Sequence, residues 1–147
     1  MPKKPAPRKP SAKRRAAAPV RLPAGLHRLS LSSTSPVRGE TKTLAVDQPC
    51  RLFAAVVVMQ GAATGISTLG LELDGRIVHL VAADRVVAQA LTMPNASGVF
   101  ATHASYGNTW TVIFGWAQPV AVAQGAKVLI QIGEDVAELD MSLLIEA

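Results

Sequence analysis

Acidic residues are missing from the first 28 positions, aromatic residues make up only 4% of the chain, and there is one cysteine. Each shortage excludes something. A lone Cys50 cannot close an intramolecular disulfide or contribute to a cysteine zinc site, so a reducing compartment, or indifference to redox state, is expected. No apolar run is long enough to span a membrane. The longest dense one, Leu52 to Met59, is under half the roughly 20 residues required. The charged N-terminus lacks the apolar stretch of a secretory signal, so Asn95-Ala96-Ser97 has no meaning as a glycosylation sequon. Five prolines in the first 20 residues argue against the amphipathic helix of an organelle transit peptide. Lys13-Arg14-Arg15 matches a nuclear address, a pattern that short basic clusters often meet by chance. Long helical stretches are lacking too, which excludes parallel βαβ units.

Catalytic groupings are equally scarce. His27, His79 and His103 are far apart, and no pair has metal-ligand spacing. His79 lies in an apolar strand and reads as a structural histidine; His103, near Tyr106, lines at most a small site. Cys50 has only Arg51 beside it to lower its pKa, and a buried, inert thiol is expected. Gly61 to Gly65 is not followed by the Gly-Lys-Ser/Thr of a phosphate loop, so it reads as a plain turn. There is no Gly-x-Ser-x-Gly elbow. An acid, a base and a nucleophile cannot be assembled. The expectation is a protein that is not an enzyme and carries neither cofactor nor metal.

What is present is unevenly distributed. Between Met1 and Arg28 stand nine cations: Lys3, Lys4, Arg8, Lys9, Lys13, Arg14, Arg15, Arg21 and Arg28. The remainder has six basic residues against ten acidic ones. A cationic tail on a mildly acidic body is the pattern of an interaction arm. Residues 1–28 should be disordered, because their apolar residues are mainly alanines, their prolines disfavour helix and like charges repel. Such an arm neutralises phosphates with strong salt dependence. It does so without reading sequence, since point charges on a pliant chain cannot address base edges. It has no aromatic residue to stack on bases. An acidic protein surface or neighbouring subunit is the alternative partner.

Residues 29–147 read as one domain of short strands. Leu29 and Leu31 alternate with serines, and Thr41 to Val46 follows a loop broken by Pro36 and Gly39. Arg51 to Gln60 is continuously apolar, as for a strand buried on both faces. Leu69, Leu71 and Leu73 alternate with polar or small residues, Asp74-Gly75 signals a hairpin, and Arg76 to Ala82 returns. Residues 83–93 suit either helix or strand, with Val86-Val87 favouring strand. Val99 to His103 is a short strand. Thr109 to Gln118 puts Trp110, Val112, Phe114 and Trp116 on one face and is limited by Pro119. Lys127 to Ile132 and Glu138 to Glu146 complete the set. Eight to ten such strands predict an all-β, antiparallel β-sandwich of jelly-roll or Greek-key type. The aromatic stripe is expected in the core rather than as a stacking platform, with Trp116 partly exposed as a possible oligomer contact. Glu134, Asp135, Glu138 and Asp140 form the one acidic cluster. It reads as a solvated strand edge, or as the receiver of a neighbour's arm.

The run from Lys3 through Arg28, followed by alternating strands from Leu29 to Ile145, resembles viral single-jelly-roll shell proteins. Small decoration proteins of bacteriophage heads are similar in size and β content. The resemblance rests on layout and implies a virion location, otherwise cytoplasmic. It implies a β domain that self-associates as a homo-oligomer, a trimer or other cyclic assembly, beside other shell proteins, and an arm on the packaged nucleic acid. The short body suggests a minor capsid, vertex or decoration component. Two other classes suit the same features: a non-viral nucleic-acid-binding or chaperone-like β protein with a basic tail, and a carbohydrate-binding sandwich using the tryptophans. A composition of 49% hydrophobic and 17% charged residues also suits a domain that hides surface in an assembly.

Overall fold

A computed structural model describes residues 21–92, 99–104 and 106–147; side chains are described for these except 89–92, 99–103, 106 and 117. Among the described residues, nine strands form two antiparallel sheets packed face to face. They are β1 (Leu26–Thr34), β2 (Thr41–Val46), β3 (Cys50–Gln60), β4 (Thr68–Leu73), β5 (Arg76–Ala82), β6 (Val99–Ala104), β7 (Thr109–Val122), β8 (Ala126–Gln131) and β9 (Glu138–Glu146). One sheet has the order β1-β9-β3-β7-β6 and the other β2-β8-β4-β5.

The pairing is nested. β1 pairs β9, β2 pairs β8, β3 pairs β7 and β4 pairs β5. Leu26 faces Glu146, Thr41 faces Gln131 and Cys50 faces Val122. The two halves of the chain thus fold back on each other as one long antiparallel ribbon whose tip is the Asp74-Gly75 turn, with register shifts in β3–β7 and β4–β5 and with α1 and β6 inserted between β5 and β7. Rolled into two sheets, such a ribbon is a jelly roll, with β6 added at one edge. The expected fold class is therefore observed.

The core lies between the sheets. Leu52, Ala55, Val57 and Met59 of β3, Val112 and Phe114 of β7 and Leu139, Met141, Leu143 and Ile145 of β9 meet Leu69 and Leu71 of β4 and Val128 and Ile130 of β8. Strict alternation in β9 follows from the two-residue period of the pleat, with Asp140, Ser142 and Glu146 outward and half-buried.

Four expectations need correction. Residues 83–92 are a helix, α1 (Ala83–Thr92), not a strand. Ala83, Val86 and Val87 fall at helical spacing; the first two are buried and the third packs on the core, so tertiary packing overrides the β preference of valine. β3 is not buried on both faces: Ala54, Val56 and Val58 are only half-buried on the outer side. Pro119 does not end β7, which runs on to Val122. Ala54 faces Gly115 but Leu52 faces Val120, so the stretch 116–119 bulges out of the ladder and carries the proline where no donor is needed. Finally, β1 starts at Leu26, so His27 and Arg28 are strand residues and not arm.

Candidate nucleic-acid interface

Of the nine cations assigned to the arm, Lys3, Lys4, Arg8, Lys9, Lys13, Arg14 and Arg15 lie outside the described residues. Arg21 and Arg28 are described, and both are exposed. They flank the arm's root, which is fixed to the sandwich. The Leu22 N–H donates to Gln48 Oε1 at 2.8 Å, and the Leu22 side chain packs on the core. The Gly25 and Ala147 backbones exchange two hydrogen bonds, at 3.1 and 2.9 Å, which extends the β1–β9 pairing by one residue. A shallow cleft of about 390 Å³ beside the root is lined by Arg21, Leu22, Leu29, Ala45, Val46, Asp47 and Gln48.

Because the ribbon is nested, the sandwich has two distinct ends. The root, the C-terminus and the short turns 47–49, 74–75 and 123–125 share one end. The loops 35–40, 61–67 and 132–137 share the other, together with the start of α1. The root end is braced by Asp74, whose carboxylate accepts from the N–H groups of Gln124 at 2.7 Å and Gly125 at 3.3 Å. Those backbone donors hold its pKa below the usual carboxylate range. At the same end Arg51 pairs with Glu146 at 2.9 Å and Lys127 with Glu72 at 3.1 Å.

At the far end the expected acidic cluster comes apart. Glu134 is buried and accepts from Thr64 N and Oγ1 at 2.7 and 2.9 Å and from Ile66 N at 3.0 Å. It is a clamp on the 61–67 loop, not a surface acid. Asp140 accepts from Ser32 Oγ across β1–β9, while Asp135 and Glu138 are exposed. Replacing Glu134 with alanine leaves two amide donors without their partner. The variant should lose about 2–4 kcal/mol of stability, read as a lower urea midpoint at unchanged slope; a change within about 0.5 kcal/mol, the size of an ordinary surface substitution, would contradict the clamp.

The aromatic stripe belongs largely to the interior. Trp110 is buried and its Nε1–H donates to Ala62 O at 2.8 Å. Phe114 is fully buried, with the half-buried His79 ring tilted against it at 5.5 Å. Trp116, the expected oligomer contact, sits in the 116–119 bulge, half-buried and packed on the core. His27 contacts Pro23 O at 2.7 Å. The residue pair His103 and Tyr106 has no described side chains. Cys50 is buried, and burial pushes its thiol pKa up, which suppresses the nucleophilic thiolate. Among the described residues no three His, Cys, Asp or Glu side chains gather as a metal site, and no helix is long and apolar enough to cross a membrane.

One surface escaped the sequence reading. Ile77, Val78 and Leu80 of β5 are 57%, 46% and 61% exposed. The run Ile77-Val78-His79-Leu80-Val81 looks like a buried strand, and nothing local signals that β5 lies at a sheet edge. Leu71 faces His79 and Glu72 faces Ile77, so Val78 is bulged. Bulges at edges discourage open-ended strand addition and leave these side chains as a lateral apolar patch.

The chain matches no protein-family model and no curated protein. Among solved structures it is similar to dimeric latent PorU from Porphyromonas gingivalis, with a TM-score of 0.33 and 9% identity over 83% of this chain and 13% of that one. The chain thus spans a small part of that protein's length, and the fold assignment rests on the strand order itself.

Proposed function

We propose that this chain is a virion structural protein, a minor capsid, vertex or decoration component. Its β domain self-associates in the shell and its basic arm holds packaged nucleic acid. The observation that carries the reading is the combination of a nested jelly roll with an acid-free segment of nine cations running into its first strand. Jelly rolls serve viral capsids, but also lectins and cupins, so fold alone does not set the function and the arm carries the weight. The burial of Trp110 and Phe114 removes two of the three aromatics that a sugar platform would use. The lateral patch of Ile77, Val78 and Leu80 offers a neighbouring copy apolar surface, as closed rings of a single subunit need.

The full chain, purified at low ionic strength, should sediment as a closed homo-oligomer or larger particle with nuclease-protected nucleic acid. Light scattering that finds only a monomer at high concentration, with no nucleic acid bound, would overturn the proposal.

A further inference from the structure

The two ends of the sandwich differ in charge as well as in loop length. Among the described residues, the root end carries the cations Arg21, Arg28, Arg51, Arg76 and Lys127 against the carboxylates Asp47, Glu72, Asp74 and Glu146. The far end carries Arg38, Lys42 and Arg85 against Glu40, Asp84, Glu134, Asp135, Glu138 and Asp140. Five cations over four acids stand at one end; three cations face six acids at the other. Ion pairing sharpens the contrast. Arg51, Lys127 and Lys42 each have a carboxylate partner, whereas Arg21, Arg28 and Arg76 are exposed near the starts of their segments. Asp74 is engaged by backbone donors, so Asp47 is the main exposed acid beside Arg21 and Arg76, while Arg28 lies on the outer face of β1 in a groove that Asp140 also lines. Seven further cations, in residues 1–20, precede Arg21 in the sequence.

We infer that the body, and not only the arm, has a nucleic-acid-facing end. A polyanion drawn in by the arm lies against the end holding the turns 47–49, 74–75 and 123–125. Arg21, Arg28 and Arg76 there add phosphate contacts, and the net-negative far end, with its longer loops, points away. This inference rests on the proposed nucleic-acid role of the arm and gives it a direction. Complementary fields orient a charged partner even where no single contact is strong, and each neutralised phosphate adds its own increment of salt dependence. The contacts are sequence-tolerant, because exposed arginines on strand starts and short turns present no element that enters a groove.

The test uses the full chain and a fluorescein-labelled oligo-dT 20-mer across a salt series. One variant combines Arg21→Ala, Arg28→Ala and Arg76→Ala; its control combines Arg38→Ala, Lys42→Ala and Arg85→Ala and removes the same charge from the far end. Circular dichroism confirms that both fold. The root-end variant should bind about 10-fold or more weakly at 0.1 M salt, with a log–log salt slope shallower by about 2, the value for three single-strand phosphate contacts. The far-end control should change affinity less than about two-fold, since exposed charges beyond a Debye length are screened. Equal losses in both variants would mean that only net charge matters, and an unchanged slope in the first that only the arm binds; either result overturns the inference. A native chain that ignores the oligonucleotide at low salt would instead overturn the nucleic-acid reading from which the inference starts.

Discussion

Replacing Lys3, Lys4, Arg8, Lys9, Lys13, Arg14 and Arg15 with glutamine in the full chain should reduce the salt dependence of single-stranded DNA binding more than any other change of comparable size. Seven engaged cations correspond to a log–log slope of about −5 on a single strand, and a four-fold rise in salt then costs roughly 10³ in affinity. The neutralised chain should lose that steepness and keep only the weak contribution of the body. Uniform loss across oligonucleotides of different sequence is expected as well, because the arm has no aromatic to stack on bases and phosphate contacts carry no sequence information. A fluorescence titration at several salt concentrations measures both. If the slope of the neutralised chain matched that of the native one, the arm would not be a phosphate-binding element.

The second large effect concerns Gly125, in the turn between β7 and β8. A Cβ built there meets Val46 O at 2.0 Å and Asp47 Cα at 3.1 Å, and the residue has φ +139. The backbone of the β2–β3 turn fills the space a side chain would take, so the clash cannot be relieved by rotating a side chain away. Gly125→Ala should destabilise the domain by about 3 kcal/mol or more, from backbone displacement and unfavourable φ together. For a domain of this size that is a fall in Tm of roughly 10 °C. Gly75→Ala is the matched comparison. Gly75 has φ +76 and nothing within 4 Å of its built Cβ, so that variant bears only the left-handed backbone cost of about 1–2 kcal/mol. Thermal melts of the two should therefore separate clearly. Comparable melting points would show that the 123–125 turn yields easily, and that the root end is softer than its hydrogen bonds imply.

Both results bear on the same end of the molecule. Arg21 stands at it, and its turns interlock. Asp74 ties the tip of the ribbon to the 123–125 turn, while Gly125 lets that turn press on Val46. Residues 21–25 are held by Gln48 and Ala147.

Much of this was legible in the order of residues. The alternation of Leu139, Met141, Leu143 and Ile145 with polar neighbours specifies both strand and buried face, because a pleated strand points successive side chains to opposite sides. Asp74-Gly75 marks its turn through local backbone preference. The partition of charge needs no folding at all to be seen. These are local properties, set within a few residues of chain.

What depended on distant residues could not be read that way. Leu26 meets Glu146 only because the whole ribbon folds back on itself, and no local pattern encodes that partner. The apolar run of β5 looks like core until its place at a sheet edge leaves Ile77 and Leu80 outside. Glu134 looks like one acid among four until the 61–67 loop lays two amide donors on it. The residues alone therefore determined an antiparallel strand-built body with a cationic leader. Tertiary structure decided which end that leader shares and which side chains are left exposed, because burial and charge proximity are set by contacts between segments far apart in sequence.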